Sequence, residues 1–197
     1  MCLFLETIKI ENGSPCNLEY HQRRVDSCRA TLPGNVRPLD LSALRYPHDL
    51  PAGVFKWRIV YGDQISENTV ECYRPKKIRT VKLVVRNDMT YAYKYADRSV
   101  FTGMLAEKGT CDDILVVKHG LLTDMSYANI ALFDGTTWCT PRTPLLAGTC
   151  RTRLLDLARI READIRPSDL GGFIMVSVIN AMLDLGELTF PVSGIIP

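Results

Sequence analysis

The turn signals of this chain constrain its fold more than any other feature of the sequence. Pairs of turn-forming residues punctuate short runs rich in β-forming side chains, and these pairs are Asn12-Gly13, Gly62-Asp63, His119-Gly120 and Asp134-Gly135. Such pairs between alternating or apolar runs are typical of β-hairpins and sheet corners. We therefore predict strands at Cys2 to Ile10, Gly53 to Tyr61 and Ser66 to Tyr73.

Helical patterns are fewer and lie between the strands. One helix is predicted from Asn17, as a possible N-cap, to a stop at Leu32-Pro33-Gly34, and another follows Asp97 as a possible cap. A third is predicted from Thr149 to Arg159. The combination of strand hairpins with a few helices predicts an α+β fold.

The chain is predicted to consist of two parts. Arg74-Pro75-Lys76-Lys77 combines proline with charge and lacks apolar periodicity, which favours a boundary there. This gives a small N-terminal α/β part, residues 1–76, and a C-terminal part, residues 77–197. Within the C-terminal part, the apolar runs between Ile114 and Phe133 are predicted to form an antiparallel meander.

Composition excludes several classes of function. The net charge of the 197 residues is only +2, with both signs interspersed, which argues against a nucleic-acid-binding protein. No apolar run approaches the ~20 residues of a membrane span. Seven cysteines without a CxxC pair, and three dispersed histidines (His21, His48 and His119), argue against a metal site and favour reduced thiols. We expect a soluble cytoplasmic protein that binds no nucleic acid, membrane or metal.

Lys94 lies in an unusual setting, between Tyr93 and Tyr95 and three residues after Tyr91. A lysine that aromatic rings shield from water loses part of its preference for the charged form and can act as an amine nucleophile, for example in a Schiff base. Alternatively, the aliphatic stem of Lys94 passes the rings and the ammonium group reaches water. The run alone leaves both interpretations open.

Two further segments have compositions that suit a bound anion and a bound cation. The run Gly148-Thr149-Cys150-Arg151 enters a helix, where free amides and the positive end of the helix dipole favour a phosphate. A plain loop-to-helix junction with Thr149 as N-cap is the alternative. Asp124 and Asn129 stand among apolar residues, and a buried Asp124 carboxylate would need a cationic partner such as a protonated pyridine. Alternatively, Asp124 is an exposed turn residue and Asn129 a local cap.

The order of these motifs resembles that of the class IV aminotransferases. This family of fold-type-IV pyridoxal-phosphate enzymes includes D-amino-acid and branched-chain aminotransferases and 4-amino-4-deoxychorismate lyase. The motifs, over about Phe4 to Val192, are HxxR at His21 to Arg24, a lysine followed by Asp-Arg at Lys94 to Arg98, an acid five residues before Asn129-Ile130, Thr140-Pro141, and Gly-x-x-Arg at Gly148 to Arg151. The resemblance implies a two-part fold with a shortened N-terminal part, and a homodimer.

The resemblance also implies pyridoxal 5′-phosphate as cofactor and a role for each matching residue. Lys94 would form the Schiff base and carry the proton, Arg24 would bind the phosphate, and Asp124 would pair with the pyridine nitrogen. Thr149 and Cys150 would offer main-chain amides to the phosphate, and Asn129 would brace its strand. The implied cofactor site is thus Arg24, Lys94, Asp124, Asn129, Gly148, Thr149 and Cys150.

The chain departs from the family pattern at three points. Asp124 replaces the usual glutamate and is one methylene shorter, Cys150 stands where threonine is frequent, and the stretch before Lys94 is short. That stretch normally supplies much of the substrate pocket. The residues suggested to line the pocket in this chain are Phe4, Glu6, Arg98 and Arg142, the last able to meet a carboxylate.

Three functions follow as hypotheses. The first is a pyridoxal-phosphate-dependent class IV aminotransferase that acts on a small amino acid or amine through Lys94. The second is 4-amino-4-deoxychorismate lyase, which releases pyruvate and 4-aminobenzoate, and which the runs Lys94 to Arg98 and Thr140 to Arg142 favour. The third is an inactive cofactor-binding or scaffold protein.

Overall fold

A computed structural model describes residues 3–34, 36–47 and 49–197. The chain divides into two compact units. The N-terminal unit contains the residues up to Pro75 together with Tyr93–Asp97, and the C-terminal unit contains Lys76–Ala92 and Arg98–Pro197. The Lys94 stretch therefore belongs to the N-terminal unit, although it comes later in the chain. Cys2, where the first predicted strand starts, and His48 lie outside the described residues.

Strands and short helices alternate along the chain. The strands are β1 (Phe4–Glu11), β2 (Ser14–Pro15), β3 (Val54–Tyr61), β4 (Ile65–Cys72), β5 (Val81–Val85), β6 (Asp113–Lys118), β7 (Leu121–Met125), β8 (Asn129–Phe133), β9 (Trp138–Pro141), β10 (Arg161–Ala163), β11 (Met175–Ile179), β12 (Thr189–Pro191) and β13 (Ile195–Ile196). The α-helices are α1 (Leu18–Arg29), α2 (Ser99–Leu105) and α3 (Thr149–Asp156). Short 3-10 helices lie at Leu41–Ala43, Ala106–Lys108, Pro167–Gly172 and Val192–Gly194.

The N-terminal unit is a four-stranded antiparallel sheet with the order β2-β1-β3-β4. Both hairpins lie where the turn pairs predict them. Asn12 and Gly13 have φ angles of 52° and 75°, the left-handed conformation that a tight two-residue hairpin requires. Gly62 and Asp63 lie between β3 and β4.

One face of this sheet packs against α1 and contains a charged residue. Because side chains alternate along a strand, Phe4, Glu6, Ile8 and Ile10 all point to the same face of β1. Three of these four side chains are part of an apolar core, which also includes Val25, Cys28, Trp57, Ile59 and Tyr61. The fourth, Glu6, is fully buried in the same layer.

The C-terminal unit contains two sheets. One has the order β13-β5-β6-β7, in which β5 is parallel to β6 and to β13, while β6 and β7 are antiparallel. The other has the order β10-β9-β8-β11-β12 and is antiparallel except for the pair of β9 and β10. The central strand β6 is apolar and almost wholly buried, as its uninterrupted apolar run predicts.

The predicted antiparallel meander is wrong. Strands β7 and β8 belong to different sheets, and β8 pairs with β9 and with β11, which lies far along the chain. A tight connection, closed by a 2.9 Å hydrogen bond from the Met125 amide to the Ala128 carbonyl, separates β7 from β8. Runs that are apolar on both faces do not reveal which strand they pair with, so the sequence pattern could not distinguish these topologies.

The predicted helix starts are confirmed for α1 and α3, and the N-cap of α2 differs from the prediction by one residue. Asn17 does occupy the N-cap position of α1, but with φ of 53° and no hydrogen bond from its side chain. The N-cap residue of α2 is Arg98 rather than Asp97. Helix α3 follows Gly148, so Thr149 is its first helical residue rather than its cap.

In the described part of the chain, none of the helices combines the length and apolar character needed to cross a lipid bilayer. The six described cysteines, at positions 16, 28, 72, 111, 139 and 150, are free thiols.

Candidate functional site

Lys94 lies on a short extended segment that pairs with the start of β1. The Lys94 carbonyl accepts a 2.8 Å hydrogen bond from the Leu5 amide, and the Ala96 amide donates at 2.8 Å to the Leu3 carbonyl. An antiparallel bridge joins Phe4 and Tyr95 between these bonds. The main chain from the Lys94 carbonyl to the Ala96 amide is therefore fixed to the N-terminal sheet.

Aromatic rings surround this segment, as the sequence suggests. The ring of Phe4 stacks on Tyr95 with a centroid distance of 5.7 Å and meets Tyr93 edge-on at 5.9 Å. The side chain of Lys94 is partly buried. Its charge reaches the buried interior of the unit, because it is among the causes that lower the pKa of His21.

Glu6, His21 and Arg24 form a buried charged cluster between β1 and α1. Arg24 donates to both carboxylate oxygens of Glu6, from Nε at 2.8 Å and from Nη2 at 2.6 Å. His21 Nδ1 lies 2.6 Å from Glu6 Oε2. An ionised carboxylate can only accept hydrogen bonds, so His21 Nδ1 carries a proton and donates it. His21 and Arg24 are three residues apart on α1 and thus face the sheet together.

The electrostatics of this cluster keep Glu6 ionised. Burial raises the pKa of Glu6, but the charge and hydrogen bonds of Arg24, followed by those of His21, outweigh burial and hold that pKa at about 2. Burial lowers the pKa of His21, against the effect of Glu6, so the imidazole is neutral. The pKa of Tyr61, which is fully buried nearby, is raised by burial and then by the charge of Glu6.

Asp124 lies in a different environment, in the C-terminal unit at the end of β7. Its side chain is buried, 5% exposed, and accepts hydrogen bonds from neutral groups. Asn129 Nδ2 donates to Asp124 Oδ1 at 2.7 Å, and the Leu146 amide donates to Asp124 Oδ2 at 2.9 Å. The ion pairs of the described residues do not include Asp124.

The pKa of Asp124 reflects this lack of a paired cation. Burial raises it to about 6, although the hydrogen bonds from Leu146 and Asn129 and the more remote charge of Arg151 oppose the increase. A cation placed against this carboxylate would lower its pKa and would be stabilised in return.

Asn129 connects Asp124 to the loop that leads into α3. In addition to its bond with Asp124, Asn129 Nδ2 donates to the Leu146 carbonyl at 2.9 Å. Gly148 lies directly against the same side chain, because a Cβ atom built on Gly148 would be only 2.1 Å from Asn129 Oδ1. The glycine before α3 is thus required by close packing rather than by an unusual backbone angle, since its φ is −68°.

The first turn of α3 presents main-chain amides that the helix itself does not satisfy. The amides of Thr149, Cys150 and Arg151 precede the first intrahelical bond, from the Thr152 amide to the Gly148 carbonyl at 2.9 Å. Gly148, at the N-cap, has no side chain that could accept from them, and Thr149 and Cys150 are buried. The Cys150 thiol points elsewhere, 3.7 Å from the Leu183 carbonyl, and burial raises its pKa to about 11.

The two arginines suggested for the substrate have partners within the C-terminal unit. Arg98 donates through Nη2 to the Ser126 carbonyl, and its guanidinium lies 4.8 Å from the centre of the Phe101 ring. Arg142 Nε donates to Asp164 at 3.1 Å, and its side chain is 53% exposed.

The structure brings together some of the predicted residues within each unit. Asp124, Asn129 and Gly148 are in direct contact, and Thr149 and Cys150 follow immediately. In the N-terminal unit, Arg24 belongs to a cluster whose His21 is within electrostatic reach of Lys94.

Two features of these sites were not predicted from the sequence. The pairing of Glu6 with Arg24 had a signal, namely a carboxylate on the otherwise apolar face of β1. The sequence held no signal for the hydrogen bond from the Leu146 main-chain amide to Asp124, since main-chain contacts do not depend on residue type.

Comparison with known proteins gives the family. The family model for class IV amino-transferases matches residues 65–189. An uncharacterized protein of Haemophilus influenzae is 36% identical over 180 residues, covering 90% of this chain and 96% of that protein.

Solved structures agree in fold and length. A candidate 4-amino-4-deoxychorismate lyase from Haemophilus somnus 129PT is 31% identical with a TM-score of 0.81, covering 94% of this chain and 98% of that one. A candidate amino-acid aminotransferase from Mesorhizobium loti, 20% identical, has a TM-score of 0.78 and coverages of 96% and 99%. The short N-terminal part is therefore shared with both.

A third solved relative carries the cofactor. The pyridoxal-phosphate-bound form of a hypothetical aminotransferase from Mycobacterium tuberculosis has a TM-score of 0.75 at 17% identity and coverages of 94% and 80%. The predicted α+β fold of type IV is confirmed. The chain belongs to the class IV aminotransferase family, whose members depend on pyridoxal phosphate.

Proposed function

We propose that this chain is a pyridoxal-phosphate-dependent enzyme that acts on a small amino acid or amine as an aminotransferase, with Lys94 as the residue that attaches the cofactor. The observation that carries the proposal is the buried Asp124 carboxylate, which neutral donors hold in place without a paired cation. A protonated pyridine nitrogen is a cation of the kind that this carboxylate would stabilise.

The residues present fit the other parts of the cofactor as well. The main-chain amides at Thr149 and Cys150 suit a phosphate group, because they lie at a helix start with no side-chain cap. Arg24 uses two of the five guanidinium N–H donors on Glu6, which leaves three for a phosphate. Asn129 holds the acid, and Lys94 lies partly buried on a segment that carries aromatic rings on both sides of it.

The chain's own residues would divide the chemistry between them. The bound cofactor supplies an electron sink for the bond broken at the substrate carbon. The Lys94 amine, once displaced by the substrate amine, would take the proton from that carbon and return it. Asp124, when ionised, would keep the ring nitrogen protonated, and the α3 amides would bind the phosphate group.

Absorbance spectroscopy with borohydride tests this proposal. Purified protein with pyridoxal phosphate is expected to show a visible band that borohydride abolishes, and peptide mass spectrometry should then place the reduced adduct on Lys94. Lys94→Ala should lack both the band and the adduct. Lys56→Ala, which removes the half-buried partner of an exposed Glu71, is the matched control and should retain both. No band in the wild type, or an identical spectrum for Lys94→Ala, would refute the enzyme proposal and favour the inactive scaffold.

Elimination is the second candidate, and the 31% identity to the candidate lyase of Haemophilus somnus supports it. The reaction would release pyruvate and 4-aminobenzoate from 4-amino-4-deoxychorismate. Turnover that requires a keto-acid acceptor supports transamination, whereas pyruvate release from aminodeoxychorismate without an acceptor supports the lyase.

We also propose that the protein is a homodimer, as the family resemblance implies. One chain has a mass of 22.1 kDa, so the cofactor-loaded protein should elute from gel filtration at about twice that mass. Elution as a monomer with cofactor bound would contradict this.

A further inference from the structure

We infer that Asn129 is a positioning residue that fixes the Asp124 carboxylate and the start of α3 to one another through a single side chain. The inference rests on the proposed function, in which Asp124 meets the ring nitrogen and the first amides of α3 meet the phosphate. Asn129 itself is assigned no contact with the cofactor.

The amide nitrogen of Asn129 holds two separate elements. It donates to Asp124 Oδ1 on β7 at 2.7 Å and to the Leu146 carbonyl in the loop before α3 at 2.9 Å. Both N–H bonds of the side chain are thereby used, and both acceptors would be without a donor if the amide were reversed, which fixes its orientation. Leu146 returns a bond through its own amide to Asp124 Oδ2 at 2.9 Å, which closes the network.

The carbonyl end of Asn129 restricts the chain at Gly148, two residues after Leu146. The three heavy atoms nearest to a Cβ built on Gly148 are Asn129 Oδ1 at 2.1 Å, Cγ at 3.3 Å and Nδ2 at 4.0 Å. The backbone angles of Gly148 are those of an extended residue, φ −68° and ψ 144°, which alanine adopts without strain. Only Asn129 therefore excludes a side chain at position 148.

This arrangement gives Asn129 a role that a purely structural asparagine would lack. Substituting a residue that serves only in packing would change the stability of the unit. Substituting a residue that connects two ligand-binding elements would also change the binding of two chemically different ligands. Inorganic phosphate tests binding of the phosphate group without the ring. Pyridoxal tests binding of the ring without the phosphate group.

A double-mutant cycle tests the contact between Asn129 and Gly148. We expect Gly148→Ala to lower the folding equilibrium constant roughly tenfold to a hundredfold, because it overpacks a buried contact. In an Asn129→Ala background the same change should have little further effect, because the obstructing atoms are gone. Gly171→Ala is the matched control, since no atom lies within 4 Å of its Cβ position. Its effect on the folding equilibrium constant should be the same with and without Asn129→Ala.

Binding measurements then test the consequence for ligands. Calorimetry of apo-protein with inorganic phosphate, and separately with pyridoxal, should show that Asn129→Ala weakens both roughly tenfold or more, because a buried charged network loses its donor. Asn129→Ser removes less volume and provides the measurement if the alanine variant does not fold. Gly171→Ala should leave both affinities unchanged.

The outcomes separate this inference from the proposed function. Additive effects of Gly148→Ala and Asn129→Ala, or unchanged affinities in the Asn129 variants, would overturn the positioning role while leaving the cofactor proposal intact. If wild type binds neither phosphate nor pyridoxal, the cofactor proposal itself fails, and the role of Asn129 in ligand positioning falls with it.

Discussion

Two of the buried carboxylates, Glu6 in the N-terminal unit and Asp124 in the C-terminal unit, have partners of opposite kind. Glu6 receives three short hydrogen bonds, two from a guanidinium and one from an imidazole. Asp124 receives its bonds from a side-chain amide and a main-chain amide. The pKa of Glu6 is accordingly held at about 2, whereas that of Asp124 rises to about 6.

The difference shows that burial alone does not determine what a carboxylate can do. Glu6 has its compensating cation in the folded chain and orients Arg24. Its charge is therefore neutralised without a ligand. Asp124 is held in place but is not neutralised, so a cationic ligand would improve its environment. A carboxylate that is positioned by neutral donors is thus the better candidate for a binding site.

The largest effect is expected when Glu6 loses its cation. Arg24→Met should lower the free energy of unfolding by about 3–5 kcal/mol, because a buried charge remains without its partner. Replacing both residues, as in Glu6→Leu with Arg24→Met, should cost much less than the single change. Urea denaturation measures both, and a double variant less stable than Arg24→Met would contradict this view of the cluster.

Acid titration is expected to isolate the contribution of Glu6. Its folded pKa of about 2 lies below the ordinary 4.5, so its ionisation stabilises the fold above pH 4.5, and that stabilisation is lost as the pH falls through about 2. The stability advantage of the wild type over Glu6→Gln should therefore shrink over this range, by an amount on the order of 3 kcal/mol. A constant difference from pH 5 to pH 2 would argue against the pairing.

Asp124 should show the opposite dependence on pH, with a slightly smaller amplitude. Its folded pKa of about 6 lies above the ordinary 3.8, so its contribution to stability is fully present below pH 3.8 and is lost as the pH rises through about 6. Relative to Asp124→Asn, the apo wild type should lose on the order of 3 kcal/mol over this interval. Saturating pyridoxal phosphate should reduce that loss if the ring nitrogen meets Asp124. Unfolding curves at a series of pH values, with and without the cofactor, provide the test.

The smallest effect is expected at an exposed ion pair. Arg142→Ala breaks the contact with Asp164, yet the free energy of unfolding should change by no more than about 1 kcal/mol, because water screens the pair. Steady-state kinetics adds a second reading of the same variant. A large rise in KM with unchanged stability would favour the suggested role of Arg142 in binding the substrate carboxylate.

Local sequence signals predicted the hairpins and the family but not how distant strands pair. The turns at Asn12-Gly13 and Gly62-Asp63 depend on residues close in sequence, so the pattern was sufficient to locate them. The position of β8 depends on its pairing with β11, which no local pattern encodes. Topology therefore required the structure.

The sites show the same division between local and non-local information. The spacing of Asp124, Asn129 and Gly148 was visible in the sequence, and the structure shows that these residues touch. The reason for Gly148 was not visible, because it lies in the Asn129 side chain rather than in the backbone angles of the glycine. The function of Glu6 similarly required knowledge of which helix covers β1.

The pairing of the Lys94 segment with the first residues of β1 has a practical consequence for work on fragments of this protein. Residues up to Pro75 contain all four strands of the N-terminal sheet but leave the start of β1 uncovered, because the Leu5 amide and the Leu3 carbonyl are paired with residues about twenty positions after Pro75. A truncated product ending there would carry an open strand edge, which is a template for aggregation. Adding a synthetic peptide of residues 91–98 to that fragment should restore its solubility. The peptide would also return Lys94 to the N-terminal unit.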